Sequence, residues 1–137
     1  MKKFLLLGVI MCSLWSCSPE KDDSLNFFYE TLPVESASLP DVFEFGQIYE
    51  ISMTYLKPSG CHLFNDFYYV SEDNLRTIAI INTVFPDQDC ETYENEIEEV
   101  SINFQVNSFG PYVFRFWQGE DDNGTDTYYV VEVPVIE

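Results

Sequence analysis

From about residue 31 to the C-terminus, apolar and polar residues alternate with period two, and no stretch sustains the three-and-four spacing of an amphipathic helix. Between Gln47 and Leu56, Tyr49, Ile51, Met53 and Tyr55 fall on one face while Glu50, Ser52 and Thr54 fall on the other, as in a strand with one buried side. Glu98 to Val106 repeats the pattern, with Val100, Ile102, Phe104 and Val106 set against Glu99, Ser101, Asn103 and Gln105. His62 to Val70 is aromatic on both faces and Arg76 to Phe85 is rich in β-branched residues, so both are expected to be central strands. Tyr112 to Gln118 and Thr127 to Ile136 flank the turn signal Asn123-Gly124 and are expected to form a hairpin. A shorter strand is expected over Leu32 to Ser38, between Pro33 and Pro40, and the acidic stretch Asp87 to Glu99 reads as a loop.

These segments amount to about seven strands, punctuated by Lys57-Pro58-Ser59-Gly60, Glu72-Asp73-Asn74 and Phe109-Gly110-Pro111. Their number and spacing predict an all-β fold, an immunoglobulin-like antiparallel β-sandwich over residues 31–137, with a small β-barrel as the alternative. Gly110-Pro111-Tyr112-Val113-Phe114-Arg115-Phe116 resembles the penultimate strand of immunoglobulin-like domains, and that resemblance implies a tyrosine corner at Tyr112. Trp117 and the aromatic residues of the strands are read as core.

Composition agrees with one packed domain: 137 residues, of which 46% are hydrophobic and 17% aromatic, supply a core and argue against disorder. The formal charge is −18, with 24 acidic residues against 6 Lys and Arg. Such a surface repels phosphate-rich partners, which excludes nucleic acid, and favours solubility, a basic partner or divalent cations.

The N-terminus carries an address. Lys2 and Lys3 precede an apolar run from Phe4 to Leu14, which is too short for the roughly 20 residues a membrane span needs. Leu14-Trp15-Ser16-Cys17 resembles a bacterial lipobox, with Trp15 bulkier than usual at its position. The resemblance implies a signal peptide over 1–16, lipidation of Cys17 and a flexible tether over 17–30. Loss of residues 1–16 removes Lys2 and Lys3 and takes the formal charge from −18 to −20. Ser18-Pro19-Glu20-Lys21-Asp22-Asp23 resembles the acidic surface-export signal of Bacteroidota lipoproteins, which implies an outer-membrane protein at the cell surface, with a periplasm-facing one as the alternative. Asp23-Ser24-Leu25 resembles the O-glycosylation sequon of the same group, with Ser24 as acceptor. The whole chain is similar to small lipoproteins of Bacteroidota, through the signal and the portion from "PSGCHLFNDFYY" to "YVFRFWQG".

With Cys12 removed and Cys17 lipidated, Cys61 and Cys90 are the two thiols left in an exported chain, and an oxidising compartment pairs them. A zinc site or a cysteine nucleophile at Cys61-His62 lacks the further ligands or base it would need. Glu120 to Asp126 offers Asp121, Asn123 and Asp126 as calcium candidates, but the glutamate expected at the twelfth position of such a loop falls in a strand, so a hairpin turn is preferred. The chain has no Gly-x-Ser-x-Gly and no phosphate-cradling loop. The expectation is a non-enzymatic module without a cofactor, contacting protein or glycan at the envelope. Two alternatives stand beside it: an acidic inhibitor of a cationic hydrolase such as lysozyme, and a calcium-dependent adhesion module.

Overall fold

A computed structural model describes residues 26–137. The expected signal peptide, Cys17 and Ser24 lie outside these residues.

The described residues form ten strands: β1 (Phe28–Leu32), β2 (Ser36–Ser38), β3 (Phe43–Glu44), β4 (Ile48–Leu56), β5 (His62–Glu72), β6 (Leu75–Val84), β7 (Ile97–Gln105), β8 (Tyr112–Glu120), β9 (Asp126–Val133) and β10 (Val135–Ile136). They build an all-β sandwich whose sheets do not close into a barrel. One layer is β2-β4-β7; the other holds β5, β6, β1, β8 and β9; β3 and β10 form a short parallel pair.

Prolines account for two of the three strands beyond the expected seven, and the third, β3, is the partner of β10. The single strand expected over 32–38 is two, because Pro33 has no N–H to continue a ladder. Before it, β1 pairs with β6; after it, β2 pairs with β4 in the opposite layer. Pro134 likewise divides the expected 127–136 strand, so that β10 leaves β8 and pairs with β3. β1 begins at Phe28, so the last three residues of the expected tether belong to the sheet.

β6 is central, as its composition implied. Along one edge it pairs with β5 throughout. Along the other it pairs with β1 over residues 80–84 and with β8 over residues 75–78, antiparallel to the first and parallel to the second. β5 was also expected to be central, yet it pairs with β6 alone, and Leu63, Phe64, Tyr68 and Tyr69 are exposed. Aromatic residues on both faces of β5 thus mark an edge strand, with a bulge between Phe64 and Asp66.

The core lies between the layers. Ile51, Met53 and Tyr55 of β4 face Ile78 and Ile80 of β6, while Phe43, Phe104, Tyr112, Phe114 and Phe116 form an aromatic cluster with edge-on, tilted and stacked contacts at 4.9–6.3 Å. Arg76 occupies a core-facing position of β6 with no carboxylate partner among the described residues. Its Nη1 donates to the carbonyls of Asp73 at 2.6 Å and Leu75 at 3.0 Å, and its guanidinium lies over Tyr112 and Phe104, so the buried charge is satisfied. The Tyr112 hydroxyl accepts from the Asn107 N–H at 3.1 Å and donates to Asn107 Oδ1 at 3.0 Å, the upstream backbone bond of a tyrosine corner.

Candidate functional site

Alternation within β8 separates its residues into two sets. Tyr112, Phe114 and Phe116 enter the core, whereas Val113, Arg115 and Trp117 emerge on the outer face of the five-stranded layer. Pairing registers place neighbours beside them. Arg115 is opposite Thr77 of β6, Trp117 is opposite Tyr128 of β9, and across β6 Ala79 is opposite Tyr68 of β5.

The size order across this face makes a cleft. Thr77 and Ala79, both small and nearly covered, form its floor on the central strand; Tyr68 stands on one side, and Trp117 and Tyr128 on the other. The resulting cleft has a volume of about 380 Å³, within the range of small-molecule sites. Glu72 and Asp126 contribute carboxylates to its lining.

Arg115 and Trp117 are held in place within the cleft. Arg115 donates from Nε at 3.2 Å and from Nη2 at 2.8 Å to the same Thr77 hydroxyl, and its guanidinium carbon lies 4.8 Å from the centre of the Tyr128 ring. Trp117 donates its indole N–H to Asp126 Oδ1 at 2.9 Å. Just beyond Trp117 a bulge adds a residue to β8, and Gly119 supplies the left-handed backbone there, with φ +96°.

The expected core role of Trp117 is therefore corrected: it lines the cleft, as do Tyr68 and Tyr128. Sequence reasoning missed Arg115, although a signal was present. A strand that alternates Phe114 and Phe116 with Arg115 and Trp117 cannot bury both sets, and the set holding the charge is the outward one.

The calcium candidates serve the hairpin. Asp121 Oδ1 accepts from the N–H of Asn123 at 2.9 Å and of Thr125 at 3.0 Å, and the Asp121 carbonyl accepts from Gly124 N–H at 3.0 Å. Asp126 is turned to Trp117 instead. Among the described residues no group of three or more His, Cys, Asp or Glu side chains could hold a metal ion.

Cys61 and Cys90 form a disulfide with Cα atoms 5.5 Å apart. It ties the start of β5 to the loop after β6, where Ser59 and Thr92 form an isolated bridge. His62 is not a metal ligand partner of these sulfurs. Its Nε2 is 2.9 Å from Glu30 Oε2 and its Nδ1 is 2.7 Å from Ser59 Oγ, linking β5 to β1 and to the preceding turn.

Comparison of the chain with protein-family models, with curated proteins and with solved structures finds no match.

Proposed function

We propose that the chain is a non-enzymatic lipoprotein of the bacterial cell envelope, lipidated at Cys17 and exposed at the outer-membrane surface, whose β domain binds a glycan in the outer-face cleft. The observation that carries this reading is the lining: small Thr77 and Ala79 lie between the rings of Tyr68, Trp117 and Tyr128. Sugar rings present apolar C–H faces and a rim of hydroxyls. Aromatic rings with electron-rich faces suit the former, and the polar groups of Asp126, Glu72 and Arg115 suit the latter.

Trp117 also makes the test direct, because it is the sole tryptophan of residues 17–137. Titration with bacterial-envelope and other oligosaccharides is expected to change its fluorescence, and Trp117→Ala is expected to abolish binding to an immobilised glycan panel while the thermal transition stays cooperative. A panel that shows no binding to the parent protein would overturn the reading. Metabolic labelling with a fatty acid, lost in Cys17→Ser, tests the anchor separately.

A further inference from the structure

Arg115 stands out electrostatically. Among the described residues the Lys and Arg side chains are Lys57, Arg76 and Arg115. Lys57 is 3.8 Å from Glu98, and Arg76 is buried on backbone carbonyls. Arg115 alone of these faces a cleft, and in so acidic a protein no carboxylate among the described residues lies within ion-pairing distance of it.

Its geometry is that of a prepared donor. The Thr77 hydroxyl accepts from Nε and Nη2, which occupies one side of the guanidinium, and Tyr128 packs beneath the plane. The Nη1 and Nη2 end retains N–H groups with no protein acceptor among the described residues. Two parallel N–H bonds from this end match the two oxygens of a carboxylate, and the restraint by Thr77 and Tyr128 lowers the entropy lost on forming them.

From this we infer that the cleft selects an acidic sugar, a uronate or another carboxylated monosaccharide unit, with its carboxylate on Arg115 and its ring against Trp117 or Tyr128. The inference rests on the glycan reading above. Glu72 and Asp126 lie in the same cleft and repel a bare anion, so a carboxylate held there must come with a ring that the aromatic walls can take and with hydroxyls that the acids can accept from. Simple anions and acidic peptides do not meet that condition.

The test uses the purified lipidated chain from Cys17 to Glu137 in detergent on an array of neutral, uronate-containing and sialylated oligosaccharides, followed by titration of Trp117 fluorescence. Each carboxylated glycan that binds is compared with its carboxyl-reduced form, and polyglutamate serves as the peptide control. The expected result is binding confined to carboxylated glycans, weakened about tenfold to a hundredfold by reduction of the carboxyl, as for loss of hydrogen bonds to a charged group. Arg115→Gln is expected to remove the difference between the two forms, and Arg115→Lys, which keeps the charge and loses the fork, to narrow it. Equal binding of reduced and carboxylated forms overturns the acidic-sugar inference and leaves the glycan reading standing. Binding of polyglutamate as tight as that of any glycan also overturns it. Absence of binding to every glycan overturns both.

Discussion

The indole N–H of Trp117 donates to Asp126 Oδ1 at 2.9 Å, across the β8–β9 pair. A residue whose sequence context suggested calcium thus orients the largest side chain of the cleft. Asp126→Ala is expected to shift the Trp117 emission to the red and to weaken glycan binding about threefold to tenfold, the equivalent of one hydrogen bond of roughly 0.5–1.5 kcal/mol. Asp126→Asn retains a carbonyl acceptor and is expected to stay near the parent in both measurements. Millimolar calcium is expected to leave the emission and the melting temperature unchanged, since Asp121 and Asp126 are both engaged within the hairpin.

The tyrosine corner supports the turn into β8. Tyr112 is fully buried, and its hydroxyl is the acceptor for the Asn107 N–H. Tyr112→Phe leaves that backbone donor unpaired, and the expected loss of stability is about 1–3 kcal/mol by urea denaturation. Asn107→Ala preserves the backbone bond while removing the Oδ1 acceptor, so it is expected to cost less.

Cys61 and Cys90 are 29 positions apart, and their link restricts the unfolded chain. In the chain-entropy account a loop of this length contributes roughly 3–4 kcal/mol, so the double variant Cys61→Ala, Cys90→Ala is expected to lower the unfolding free energy by about that amount. Chemical denaturation with and without reductant measures it, and reductant is expected to have no further effect on the double variant.

Tyr55 of β4 and Asn82 of β6 sit together in the core. Burial pushes the Tyr55 phenol above its ordinary pKa, with Glu98 adding to the rise. The folded protein therefore holds this proton at a pH where the unfolded chain, with a tyrosine pKa of about 10, has begun to release it. The unfolded state then binds fewer protons, so stability falls as pH rises above about 10, until the folded-state phenol ionises as well. Tyr55→Phe is expected to flatten this alkaline loss. At pH 7 it is expected to change stability by less than about 1 kcal/mol, because the Tyr55 hydroxyl makes no hydrogen bond in the structure. Urea midpoints of both proteins at pH 7 and at pH 11 provide the comparison.

Much of the fold was legible because a strand's side-chain period is local. Ile51, Met53 and Tyr55 were assigned to one face from their spacing alone, and all three are buried. The Asn123-Gly124 turn was legible for the same reason, since its left-handed glycine and the Asp121 cap act within a few residues. His62 to Val70 misled because composition does not say whether a strand has one neighbour or two.

By itself, then, the sequence determined the all-β class, the principal strands, the inward and outward sets of β4 and β7 and the pair Cys61 and Cys90. These follow from alternation, turn chemistry and cysteine arithmetic. The tertiary structure alone decided that β1 and β8 share one edge of β6, and that Tyr68, Thr77, Arg115 and Tyr128, from four strands, meet around a single cleft. The parallel β6–β8 pairing behind that meeting joins segments more than 30 residues apart, and no hairpin turn encodes it. Which strands lie side by side is settled by how the two layers bury their apolar faces together, a property of the assembled core rather than of any one segment.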